Sequence, residues 1–319
     1  MLTSHEALAW YLEGVRTHVS LAGPAALAVR VRPDGDVIYV ADNEADRLIA
    51  EEFLPDDADR VIRVPWQVSP AVAAAEQDAV PEASVARELR AARAPLLPGE
   101  RDRYRRLGRD CAEVLTDVLR GARPERTEQQ LAATVVGGLA ARGIDPLVVL
   151  VAGAGRLAFR HPLPTAAPLG QRAMVVVCGR RSGLIANATR WVGAPVEEAP
   201  ILDVERVFLD ATVPGSRLDD VFEAGVAGYG RNGFDAEEWR RHHQGGPAGY
   251  AGRDPRAMAG VDDLIVTDQA FAWNPTAPGV KVEDTMLRTA DGWEVLTEDP
   301  RWPSVEHRGL RRPVTLPYG

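Results

Sequence analysis

Side chains able to carry chemistry gather in a few short stretches: FRHPLPT (Phe159–Thr165), GLIANATR (Gly183–Arg190), HHQGG (His242–Gly246) and AFAWNPTAPGVKVEDTML (Ala270–Leu287). The last reads as a strand, a tight Asn-Pro/Pro-Gly connection and a second strand ending in Glu283-Asp284. With His242–Gly246 before it, it brings polar side chains to one place, which marks a site rather than plain core. His161 offers imidazole, the side chain poised for proton transfer near neutrality. His242 and His243 sit beside glycines, where backbone can approach a ligand closely; the same glycines would also serve a polar turn. Cys178 lies in an apolar strand run with no general base near it in sequence, so it reads as inert.

These residues need elements to hold them. Residues 3–19 carry Leu8, Tyr11, Leu12 and Val15 at helical spacing. Two alternating runs, Ala25–Val31 and Asp36–Val40, flank Arg32-Pro-Asp-Gly35 and predict a β-hairpin. A helix over Glu44–Phe53 and a strand over Arg60–Val64 follow. A Pro- and Ala-rich stretch near Val80–Pro98 then separates an N-terminal domain, 1–90, from a C-terminal one, 91–319. Leu107, Cys111, Leu115 and Val118 predict a long helix from Gly99. Thr127 and Gln130 form a capping box for the next, which stops at Gly143. Leu147–Val151 and Ala173–Cys178 read as buried strands, with Gly183–Val192 as the hairpin partner. Helices are expected over Glu198–Asp210 and Leu218–Asn232, and strands over Ile265–Ala272, Val280–Leu287 and Trp293–Leu296. Trp273 reads as core. The class is α/β (α+β).

The chain has 319 residues, 45% hydrophobic and 26% charged, which suits an ordinary globular protein. A net charge of −9 argues against nucleic acid or an anionic membrane as partner. Cys111 and Cys178 stand in neither CxxC nor Cys/His zinc spacing, so no disulfide framework is expected. The N-terminus lacks a basic start followed by an apolar run, and no stretch reaches the roughly 18 apolar residues of a membrane helix. The expected location is the cytoplasm.

Six blocks in order, PERTEQQLA, HPLPT with PLGQ, GLIANATR, HHQGG, AWNP and VEDTML, resemble the creatinase/aminopeptidase "pita-bread" family. The first domain resembles the small N-terminal domain of the creatinase and Xaa-Pro-peptidase branch. The resemblance implies a homodimer. Metallopeptidases of that family hold two divalent ions with two Asp, one His and two Glu. Those positions fall here on Val176, Asn187, His243, Asn274 and Glu283, so only the His and one Glu remain. Two divalent ions bring about four positive charges and need several anionic oxygen ligands. Valine offers none, and the asparagines are neutral. The expectation is no metal and no cofactor.

Creatinase is similar in fold, lacks metals and uses a histidine as general acid/base, and His161 matches its position. The resemblance therefore implies a metal-independent, creatinase-like hydrolase or C–N lyase acting on a small amino or amidino metabolite. His161 would move the proton. Tyr250, seven residues after His243, stands where the family has a second histidine; it would orient substrate, donate a proton, or fill core. Glu283 would anchor a substrate cation, or pair with Arg190 or Lys281 as a structural ion pair. His242, His243, Asn187, Asn274 and Arg190 would bind and position the substrate. The alternatives are a non-catalytic binding or scaffold protein and, more remotely, an Xaa-Pro metallopeptidase.

Overall fold

The computed structural model describes residues 1–75 and 79–319. The chain forms two compact units, Met1–Arg93 with Ser182–Leu184, and Ala94–Arg181 with Ile185–Gly319. Both mix helices and sheets, as an α/β chain should.

In the first unit, β1 (Leu27–Arg30) and β2 (Val37–Ala41) pair antiparallel with Leu27 opposite Val40, on either side of the Arg32–Gly35 turn. The helix Asp42–Glu51 then crosses over to β3 (Val61–Val64), parallel to β2. Leu8, Leu12, Leu27, Val29, Ile38, Val40 and Leu48 form the core. The first helix is shorter than its apolar spacing suggests, covering only His5–Tyr11. Glu13 and Gly14 turn left-handed, at φ 57° and 101°, and Gly14 N–H returns to the Ala9 carbonyl at 2.7 Å. That closure ends a helix whatever its pattern continues to offer. The stretch read as a separator holds a 3-10 turn, Glu82–Val85, and a helix, Ala86–Arg93.

The second unit opens with the helices Pro98–Leu119 and Glu128–Ala140. The capping box forms as read: Gln130 N–H donates to Thr127 Oγ1 at 3.2 Å, and Thr127 N–H to Gln130 Oε1 at 3.0 Å. β4 (Asp145–Ala152), β5 (Arg172–Arg181) and β6 (Leu184–Gly193) follow, with β5 central. Ser182 and Gly183 join β5 to β6 with φ of 49° and 77°, the primed geometry of a tight hairpin. Leu150, Ala152, Met174, Val176 and Trp191 pack on one face of this sheet.

The closing sheet runs β12 (Gly292–Val295), β11 (Met286–Thr289), β8 (Gln269–Trp273), β7 (Gly245–Ala248), all antiparallel. Two helices, Ala199–Ala211 and Leu218–Val226, share a core with it that includes Phe208, Leu209, Val221, Phe271 and Trp273. Trp273 stacks on Phe208 at 4.7 Å between ring centroids. Burying a ring of that size contributes about 1.5–3 kcal/mol. The helix expected to run on to Asn232 breaks at Ala227 and resumes as Gly228–Arg231.

The strand expected over Val280–Leu287 is interrupted. Val280–Lys281, here β10, pairs with β9 (Thr276–Ala277) through a Pro278-Gly279 turn in which Gly279 has φ 75°. The next residues leave that hairpin and pair with β6: Thr189 N–H donates to the Glu283 carbonyl at 2.9 Å, and Ala188 bridges Asp284. The break ties β6 to the segment that leads into β11 at the level of Glu283. A strand pair not foreseen, Ser304–His307 with Leu310–Pro313, follows near the C-terminus.

Candidate functional site

A cavity of about 300 Å³ lies in the second unit. β5 sends Val176 and Cys178 into it, two residues apart and therefore on one face of the strand. Val148 and Leu150 of β4 extend that apolar wall. β6 contributes Asn187, the end of β8 Asn274, and the interrupted strand Lys281 and Glu283. His161, His243, Gly252, Arg253 and Arg256 complete the lining from connecting segments. The five positions that resemblance assigns to metal ligands, Val176, Asn187, His243, Asn274 and Glu283, thus face one space.

The connecting segments are held by specific partners. Gln244 Oε1 accepts from the Tyr229 hydroxyl at 2.6 Å, and its Nε2 donates to the His242 carbonyl at 2.6 Å. Its own carbonyl accepts from Asn274 N–H at 3.0 Å, which ties HHQGG to AWNP. Gly245 has φ 97°, and a Cβ there would collide with the Ala272 carbonyl. The glycine therefore serves the close approach of β7 to β8. Next to His161, Arg160 pairs with Glu238 and donates to Thr276 Oγ1 at 3.1 Å.

Glu283 is 2% exposed, and both its oxygens are taken. Oε1 accepts from Arg253 at 2.6 Å and from Asn274 Nδ2 at 3.4 Å; Oε2 accepts from Thr189 Oγ1 at 2.8 Å and lies 3.0 Å from Lys281 Nζ. Burial alone would raise its carboxyl, but Lys281 and Arg253 outweigh that and hold it below the usual carboxylate range. Of the two roles open to Glu283, the ion pair is the one formed, with Lys281 and Arg253 rather than Arg190. It is not a free anchor for a substrate cation.

Two expected site residues sit elsewhere. The Tyr250 hydroxyl donates to Glu100 Oε1 at 2.6 Å and accepts from Arg103 at 3.4 Å, so this buried phenol packs on the helix Pro98–Leu119 and does not line the cavity. Burial and the Glu100 carboxylate raise its pKa, which removes it further from proton transfer. Arg190 is 3% exposed and points the other way along β6. It pairs with Asp284 at 2.8 Å and donates to the Thr297 carbonyl at 2.6 Å, within a buried network that includes Arg312 and Glu205. Asp284 draws it there because the residue after Glu283 faces away from the cavity.

The three histidines cluster. His161 Nε2 lies 3.2 Å from His242 Nε2, and the His242 and His243 rings stack at 4.4 Å. His242 backs His161 rather than lining the cavity. Burial first, then Lys281, pushes His242 down to about 2; burial, Arg253 and Arg256 bring His243 to about 3. His161 is exposed and shifted in the same direction by partial burial and Lys281. Burial and the neighbouring cations thus favour the neutral form of all three. Cys178 is pushed up to about 12 by burial, then Glu283, which keeps it a thiol.

A dinuclear metal centre does not fit these donors. Val176 has no ligand atom, Asn187 and Asn274 are neutral, and both oxygens of Glu283 already carry cationic partners. The imidazoles come within 4.8 Å of one another, a spacing that suits a nitrogen-ligated ion, but Lys281, Arg253 and Arg256 oppose added positive charge there. Arg253 and Arg256 had no signal in the sequence beyond a basic run, RDPR, after HHQGGPAGY.

No family model matches the chain, and no curated protein matches it in sequence. Solved structures do. The prolidase from Pyrococcus horikoshii OT3 superposes with a TM-score of 0.75 at 15% identity, over 94% of this chain and 93% of that one. The prolidase from Pyrococcus furiosus gives 0.73 at 15%, over 93% and 95%. Dipeptidase PepE from Mycobacterium ulcerans gives 0.71 at 20%, over 98% and 96%. At such identities the likeness is one of architecture: the chain has the pita-bread fold of the prolidases and Xaa-Pro dipeptidases.

Proposed function

We propose that this chain is a metal-independent hydrolase or C–N lyase of the pita-bread fold, acting on a small polar metabolite by histidine acid–base chemistry. The observation that carries the reading is the state of Glu283, whose two oxygens are paired with Lys281 and Arg253 beside a neutral imidazole cluster. Lys281 and Arg253 engage the carboxylate oxygens that a metal ion would need as ligands. His161 is the exposed member of the cluster and the one a substrate reaches first. In the hydrolytic case it takes a proton from the attacking water as the carbon–oxygen bond forms. It returns that proton to the nitrogen as the carbon–nitrogen bond breaks, so the leaving group departs neutral.

The test is amine release from a panel of short amides and guanidino acids, followed by fluorescence derivatisation in chelator. Turnover that survives chelation and falls at least 100-fold in His161→Ala supports the reading. Turnover that appears only with added manganese contradicts it. Binding without turnover is the second reading, favoured by the low values of His242 and His243, which make them poor proton carriers. It predicts ligands that stabilise the protein and remain unchanged after long incubation.

A further inference from the structure

Apolar burial holds little of the loop that carries His161. Phe159 is 57% exposed and Leu163 71%, on either side of a histidine that is itself exposed, and Pro162 is the buried residue of that stretch. What gathers the loop is polar. Glu128, at the start of the helix Glu128–Ala140, is fully buried and spends both carboxylate oxygens on the loop's two ends. Oε1 accepts from Gly153 N–H at 2.8 Å, just past the end of β4. Oε2 accepts from Thr165 N–H and from Thr165 Oγ1, each at 2.8 Å, and pairs with Arg156 within the loop. We infer that Glu128 is the positioning residue for His161, its carboxylate drawing both ends of the Gly153–Thr165 loop together so that the imidazole stands at the cavity. The inference rests on the reading of His161 as the proton carrier and adds the group that sets its place.

The clamp needs an ionised carboxylate. Its donors converge on two oxygens, and a group that only accepts serves them all. A glutamine would turn its own N–H donors toward one of those ends. Burial alone would raise the Glu128 carboxyl, but the Gly153 and Thr165 donors, with Arg156, outweigh it and keep it below the usual range. The same helix start also fixes the backbone where the loop returns: Glu128 N–H donates to the Ala167 carbonyl and Gln129 N–H to the Thr165 carbonyl, both at 3.0 Å. Within that frame Arg160 pairs with Glu238, and His161 Nε2 comes within 3.2 Å of His242 Nε2. So close an approach leaves little play at the loop's ends, and misplacing an acid–base group by about 1 Å costs about 100-fold in rate.

The experiment reads the histidine rings of the intact chain by long-range proton–nitrogen NMR, at one pH and without substrate. The His161 signal is assigned by its loss in His161→Ala. In Glu128→Gln the His161 and His242 signals should shift or broaden, while those of His5 and His307, bonded to Thr17 and Asp203, stay in place. Amide exchange at Gly153 and Thr165 should quicken about tenfold or more. Thr127→Ala is the control: it removes the cap at the same helix start, keeps the carboxylate, and should leave His161 unmoved. Should Glu128→Gln fail to fold, Thr165→Val removes one hydroxyl donor, keeps the N–H, and should show a smaller displacement of the same signals. A His161 signal unmoved in folded Glu128→Gln or in Thr165→Val would mean that the Arg160–Glu238 pair suffices, and would overturn the proposal. Equal displacement in Thr127→Ala would overturn it too. Because the ring signals are read without turnover, absence of turnover would sink the catalytic reading alone, and unmoved signals this one alone.

Discussion

Glu283 decides more than any other residue here. A buried carboxylate survives only with compensation, and Thr189, Asn274, Arg253 and Lys281 together supply it. Removing its charge leaves two buried cations facing each other. Glu283→Gln should therefore cost about 3–5 kcal/mol of unfolding free energy, read from urea titrations. A change under about 1 kcal/mol would mean that the cations reach water. His242 makes a second residue-scale prediction, from the fall of its value from 6.5 to about 2. Below pH 6.5 the unfolded chain takes up a proton that the folded chain refuses. Stability is then complete above 6.5 and falls as pH drops toward 2, by up to about 1.4 kcal/mol per pH unit. Wild type and His242→Asn, compared by denaturant midpoints between pH 7 and 4, should diverge, with the wild type losing more on acidification. Parallel curves would count against a buried neutral imidazole.

At the scale of elements, the Thr127 cap and the Gly245 contact make separate claims. Thr127→Ala removes one side-chain cap and should cost about 1 kcal/mol without touching the cavity. Gly245→Ala forces β7 off β8 and should disturb His243 as well, lowering both the melting temperature and any ligand affinity. Ligand affinity intact in a folded Gly245→Ala would separate the glycine from the site. Such features were legible because local chemistry dictates them: a capping box, a Pro-Gly turn and apolar strand runs each act within a few residues. The order of blocks likewise gave the positions of Val176, Asn187, His243, Asn274 and Glu283, which share one cavity. Tyr250 and Arg190 went elsewhere because their partners, Glu100 on the helix Pro98–Leu119 and Asp284 beside β6, come from parts of the chain far away in sequence. The break after Lys281 was hidden for the same reason, since it depends on pairing with β6, far away in sequence.

Over the whole molecule, charge is distributed against its own average. The chain is acidic, no helix among the described residues is long and apolar enough to cross a membrane, and yet the cavity in the second unit is cationic. Arg253 and Arg256 reach it from a segment that nothing in its own sequence marks, because ion pairing across long separations leaves no local pattern. The fold is that of the prolidases while the donors are not those of a two-metal centre. Metal content tests that central claim most directly. Protein purified without chelator and analysed by plasma mass spectrometry, before and after incubation with manganese or zinc, should hold less than about 0.1 ion per chain. One or more tightly held ions per chain, lost in Glu283→Gln or His243→Ala, would contradict the reading that these donors hold no two-metal centre.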